Sequence, residues 1–310
     1  MISPSSEFLT ALVNACSVGT TYDSAASEKL ESFDEHLVKC LTDRLDTSDQ
    51  VALRALRECG RQGLMEARAG NDEASEKHFS EAWQLLHTSD LGVEALLLGE
   101  SLLNAQIAYN WYRQRKYKKA LKLLERSFRN DLILEMQMTY EILRIHRIQL
   151  LNNLMRMYTR QGQFATALTI GNAILTYLEL PEVEALSKLS TPWNEGWSNG
   201  LSAIPISLIR DMHHQVAAEQ VNALRLCVER HGTKNDLTRI LANIRNEWNA
   251  SQAYLWTSFH LTLLDRSVGD PLIFACDILR RGKKPSEPLW RSVLEATKDL
   301  LEEIELHIPE

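Results

Sequence analysis

The chain has 310 residues, 45 % of them hydrophobic and 24 % charged, with only 13 Gly and 8 Pro, so it can bury a large core and long-range disorder is excluded. Helix formers abound and turn residues are scarce, which specifies an all-α fold. The net charge of −7 hides an asymmetry: residues 111–160 hold twelve Lys or Arg against four Asp or Glu, an excess of +8 that leaves −15 on the rest. The basic middle reads either as solvated helix faces or as a binding surface.

Residues 1–48 read as N-terminal helices or a cap. The opening MISPSSEFLTALVNACSVGTTYDS gives a helix and a polar loop; no basic region precedes its apolar run and Glu7 interrupts the start, so a secretory signal is not expected. Phe33, Leu37, Cys40 and Leu41 then follow helical spacing. The five cysteines (Cys16, Cys40, Cys59, Cys227 and Cys276) are scattered and form no CxxC pair, which suits free thiols in a reducing cytoplasm better than disulfides or zinc. No run of about 18 apolar residues occurs, so no membrane span is expected.

Residues 49–184 show a repeating pattern. MYTRQGQFATALTIGNAIL, from Met157, carries Tyr158, Gly162, Phe164 and Ala167; forty-seven residues upstream Trp111, Arg115, Tyr117 and Ala120 stand at the same offsets. A further forty-five upstream lie Gly63, Gly70, Ser75, Phe79 and Ala82. A glycine or basic residue lets the chain leave a first helix, and a small residue (Ser75, Ala120, Ala167) lets the second cross it closely. Such hairpins cannot bury their apolar faces alone and must stack.

These residues resemble the tetratricopeptide repeat family: Gly63, Gly70, Ser75, Phe79 and Ala82 in a first copy; Ala108, Tyr117, Ala120 and Leu124 in a second; Leu154, Tyr158, Gly162, Phe164 and Ala167 in a third. The resemblance implies a right-handed α-solenoid of three hairpins with a peptide- or protein-binding concave face. Three departures stand out: a 45–47-residue spacing against the family's usual 34, Glu66 where an aromatic is expected, and Gly171 where a large residue should pack. Longer spacing implies longer helices, as in extended repeats of some bacterial regulators and peptide sensors.

Residues 185–205 form the strongest loop signal, with Trp193 and Trp197 either anchoring a long connection or closing over a ligand. Helical pattern resumes over 206–231, 235–266, 271–281 and 285–307, expected as divergent repeats and a C-terminal capping helix within 206–310.

Chemical motifs are sparse. There is no GxGxxG, GxxxxGK[ST], HExxH, GxSxG or Glu-x-x-His; His231-Gly232-Thr233-Lys234 lacks the first glycine and the strand of a phosphate loop. Asp211 and His214 share a helix face, but two ligands do not make a metal site. No metal, cofactor or catalytic residue is therefore assigned, and no recognition helix for DNA is seen.

If the repeats hold, their first helices turn Arg57 and Arg68, then Gln106, Tyr109, Tyr112 and Arg113, then Asn152, Asn153, Arg156 and Arg160 toward one groove. Amides bond peptide backbone both ways, Arg forks onto carboxylate, and Tyr packs side chains at small entropic cost. The set resembles only loosely the family's carboxylate clamp, whose lysines have no counterpart here. The expected function is a cytoplasmic, non-catalytic scaffold that binds a protein or peptide, an acidic one included, with no nucleic-acid or membrane partner and a homo-oligomer left open. The alternatives are a regulatory peptide-sensing subunit and an all-α enzyme using an undisclosed metal or cofactor near Asp211 and His214.

Overall fold

A computed structural model describes residues 11, 14–15, 44–231, 234–244, 251–265, 270–280 and 287–305. Cys16, Phe33, Leu37, Cys40, Leu41, Gly232 and Thr233 lie outside the described residues. From residue 44 the described chain is helical and contains no strand. Its helices are α1 (Thr47–Ala69), α2 (Asp72–Thr88), α3 (Val93–Arg113), α4 (Tyr117–Met138), α5 (Leu143–Arg160), α6 (Phe164–Glu179), α7 (Glu184–Ser187), α8 (Ile206–His231), α9 (Lys234–Ile244), α10 (Gln252–Leu264), α11 (Pro271–Arg280) and α12 (Glu287–Glu305). None of them is long and apolar enough to cross a membrane. The helical stretch expected over 235–266 contains two helices, and Ser251 starts the second by accepting a bond from the Tyr254 N–H at 3.1 Å.

The chain divides into two compact units, one holding described residues 44–157 and 186–209, the other 158–185 and those from 210 on. In the first, α1 buries Leu53, Leu56, Gly60, Gly63 and Ala67, a stripe spaced four and three residues apart that faces α2 and α3. α2 answers with Ser75, Phe79, Ala82 and Leu86. The crossing is close because Ser75 Oγ donates to the Gly63 carbonyl at 2.8 Å, and a β-carbon on Gly63 would stand 2.9 Å from the Phe79 ring. Leu56, Phe79, Leu86, Leu103 and Ile107 form the core beneath, each burial worth roughly 1.5–3 kcal/mol. Half-buried Trp111 packs on the rim of this core.

The turns after α1, α3 and α5 close in one way. The Gly70 N–H donates to Ala67 O at 3.2 Å and Asn71 N–H to Glu66 O at 2.9 Å. Arg115 does the same to Tyr112 O at 3.0 Å with Lys116 to Trp111 O at 2.8 Å, and Gly162 to Thr159 O at 3.1 Å with Gln163 to Tyr158 O at 2.9 Å. This pairing needs a left-handed residue, and φ is 86°, 60° and 76° at Gly70, Arg115 and Gly162. Where Glu66 replaces the aromatic, its carboxylate instead accepts from the Asn71 side chain at 2.7 Å.

In the second unit α6 and α10 are buried around most of their girth. α10 packs on α6, α9, α11 and α12, and Phe164, Cys227 and Leu237 form a core cluster. The Glu179 carboxylate ends α6 by accepting from the Gln252 backbone N–H at 2.5 Å, beside His213 Nε2 at 2.8 Å.

Candidate functional site

On α3, Tyr109 and Tyr112 are three residues apart and so share a face; their rings lie 5.9 Å apart, tilted by 50°. On α5, Asn153 and Arg156 repeat that spacing, with Arg156 Nη1 at 3.5 Å from Asn153 Oδ1. These four side chains line one cleft with Ala108, Ala120, Leu124 and Met157, its empty volume about 270 Å³. The small residues Ala108 and Ala120 open it: both are fully buried, and a larger side chain at either would fill it. The cleft combines an apolar floor, two phenols, an amide and a guanidinium. That volume includes space open to solvent, and its enclosed part holds about one water, so the cleft is a shallow surface notch and not a small-molecule pocket.

Four of the ten groove residues read from the sequence therefore meet, and six do not line the cleft. Arg57 is half-buried on α1, and Arg68 is exposed in the last turn of α1. Gln106 lies against α1, its Oε1 where a β-carbon on Gly60 would be. Arg113 is half-buried at the end of α3, and Arg160 is exposed at the end of α5. Asn152 is fully buried, and neither atom of its amide has a hydrogen-bond partner; Asn104 on α3 is in the same state.

Sequence reasoning missed a buried polar network. Ser101 Oγ donates to Asp131 Oδ1 at 2.6 Å, and His146 Nδ1 faces Asp131 Oδ2 at 2.7 Å. Ser, His and Asp here are not a nucleophilic triad: the carboxylate stands between the hydroxyl and the imidazole, and all three are at most 4 % exposed. One turn on, Glu135 receives Arg144 Nε at 2.8 Å and Arg147 Nη2 at 2.6 Å. Burial pulls Arg147 below the usual guanidinium range, and the Glu135 carboxylate opposes that pull. The two arginines also donate to the carbonyls of Glu195, Gly196 and Gly200. Arg147 stacks 4.1 Å over Trp197, while Trp193 and Trp197 sit edge-on and tilted against Phe128 at 5.2 and 5.9 Å. The tryptophans thus anchor the loop. The available signal was the spacing, Asp131 four before Glu135 and Arg144 three before Arg147.

Elsewhere the described chemistry is quiet. No three His, Cys, Asp or Glu among the described residues come together as metal ligands; His214 is exposed, and His213, not Asp211, reaches Glu179. Burial and the nearby Glu81 and Glu58 push the Cys59 thiol up, away from the reactive thiolate. Comparison of the chain with protein-family models, with curated proteins and with solved structures gave no match.

Proposed function

We propose that the chain is a non-catalytic helical-repeat binding module, similar in plan to tetratricopeptide repeats, that acts in the cytoplasm. Its partner lies across the α3–α4–α5 cleft. The observation that carries this reading is the convergence of Tyr109, Tyr112, Asn153 and Arg156, from helices forty-seven residues apart in register, on one cleft. The three identical left-handed turns, forty-five and forty-seven residues apart, support the repeat plan. An aliphatic or aromatic side chain lying over the cleft covers its apolar floor. Arg156 and Asn153 then meet the backbone carbonyl or a carboxylate beside it.

The test is selection of binders from a random peptide library displayed on phage, followed by titration of the winners against Tyr112→Ala and Arg156→Glu. The expected result is a shared apolar anchor in the selected peptides and affinity reduced at least tenfold in both variants. Melting temperatures should stay within a few degrees, since both positions are only half-buried. Binders whose affinity is the same for both variants would remove the cleft from consideration.

A further inference from the structure

The outward face of α4 carries a charge pattern that neither the core nor the cleft uses. Lys118, Lys122 and Arg129 fall within about 40° of one another on the helix and span about 17 Å of its length; Lys119 and Arg115 flank them, and all five are exposed. None of the five is in an ion pair among the described residues. Among their neighbours, Lys116 lies 3.8 Å from Glu76 and Arg126 is bound to Glu100. The acid on this face, Glu125, is half-buried. The cleft residues Ala120 and Leu124 point the opposite way, roughly 200° around the helix, so this surface is separate from the cleft and stands without it.

We propose that the α4 face is a docking surface for a short acidic segment of a partner protein. Length and field choose the occupant. The cationic strip is about 17 Å long, whereas residues 44–110 of the same unit hold eleven Asp or Glu against six Lys or Arg. A long polyanion such as duplex DNA, or an anionic bilayer, extends past the strip by more than a Debye length of about 8 Å and meets like charge. A segment of five or six Asp and Glu residues stays within it. The face also lacks the means to insert or stack: none of the exposed large hydrophobic residues described falls between 115 and 129. Of the aromatic rings beside it, Trp111 is already covered by the Lys119 ammonium at 5.3 Å.

The experiment titrates fluorescein-labelled hexaglutamate into the full chain by anisotropy, at 50 mM and 500 mM NaCl, beside a 20-base-pair duplex and vesicles containing 30 % phosphatidylserine. The expected result is saturable peptide binding that weakens at least tenfold in high salt. It should weaken at least tenfold in K118E/K122E/R129E and strengthen in Glu125→Gln, with Tyr112→Ala unchanged. Since Lys118, Lys122 and Arg129 are exposed and Glu125 and Tyr112 only half-buried, circular dichroism should show the variants folded. No peptide binding, binding indifferent to the triple reversal, or tighter binding of duplex or vesicles than of peptide would overturn the proposal. An effect of Tyr112→Ala equal to that of the triple reversal would place the peptide in the cleft and overturn it as well.

Discussion

Two residues set the sharpest local energetics. Glu135 is 6 % exposed and, among the described residues, is the carboxylate bonded to both Arg144 and Arg147. Removing it leaves two desolvated guanidiniums with no directly bonded carboxylate among the described residues, which costs about 3–5 kcal/mol where a buried pair is broken from one side. Glu135→Ala should therefore lower the urea-unfolding free energy by about that amount; a loss below about 1 kcal/mol would mean that the carbonyls of the 195–200 loop suffice. In the other unit, burial holds the His260 imidazole down at about 3, with edge-on contacts to Trp256 at 4.7 Å and Phe259 at 5.1 Å. The sign follows from linkage: an unfolded histidine takes up its proton near 6.5, and the folded ring does not until about 3. Above 6.5 the residue is neutral in both states and contributes no pH dependence. As pH falls from 6.5 toward 3 the unfolded state binds the extra proton and stability drops, by on the order of 1–2 kcal/mol at pH 4.5. Comparing urea unfolding at pH 7 and pH 4.5 checks this. His260→Phe should lose less stability over that interval than the parent chain, and an equal loss in both would assign the acid sensitivity elsewhere.

Hairpin turns are the elements in which sequence and structure agree most closely. The offsets of Gly70, Arg115 and Gly162 predict three turns, and all three have the same pair of closing bonds and a left-handed residue. They were legible because positive φ leaves few residue choices, so glycine spacing records backbone geometry directly. The middle turn departs by using Arg115, an L-residue at φ 60°, and the departure yields a prediction. At Gly70 a β-carbon would meet nothing within 4 Å and at Gly162 only the Arg230 guanidinium at 3.5 Å, so substitution there is penalised by backbone conformation alone. Gly70→Ala and Gly162→Ala should each cost about 1 kcal/mol, while Arg115→Gly should gain about 0.5–1 kcal/mol. Chemical denaturation of the three variants checks the signs, and a stabilising Gly162→Ala would refute the shared geometry. Groove residues were less legible: helical spacing gives a direction around one helix but not the distance to the next. Gln106 was read as facing a groove, yet it lies on Gly60, where the missing side chain lets α3 approach α1.

Across the molecule, charge was legible as a sum and illegible as a distribution. The +8 of residues 111–160 is one number in the sequence, and the fold separates it into two populations. Arg144 and Arg147 go inside to Glu135, because α5 is buried on nearly every side and its cations must find partners there. The cations of α4 remain outside at spacings of three and four residues, where like charges repel by roughly 0.2–0.5 kcal/mol per pair. Such a face weakens its own helix, so a charge reversal that improves the fold should damage any function the face has. Lys122 tests this most directly, with Lys118 and Lys119 one turn before it, Arg126 one turn after, and Glu125 as its one acidic neighbour at helical spacing. Lys122→Glu turns three repulsions into attractions and one attraction into a repulsion, a net gain of about 1–2 kcal/mol at low salt. Thermal melts at 20 mM and 500 mM NaCl should show the variant more stable by one to a few degrees in the first and indistinguishable from the parent in the second, because exposed charges are screened. Higher stability coupled to weaker hexaglutamate binding is the outcome expected of a surface whose charge serves a partner; unchanged or lower stability at 20 mM NaCl would show that the cations of α4 do not strain it.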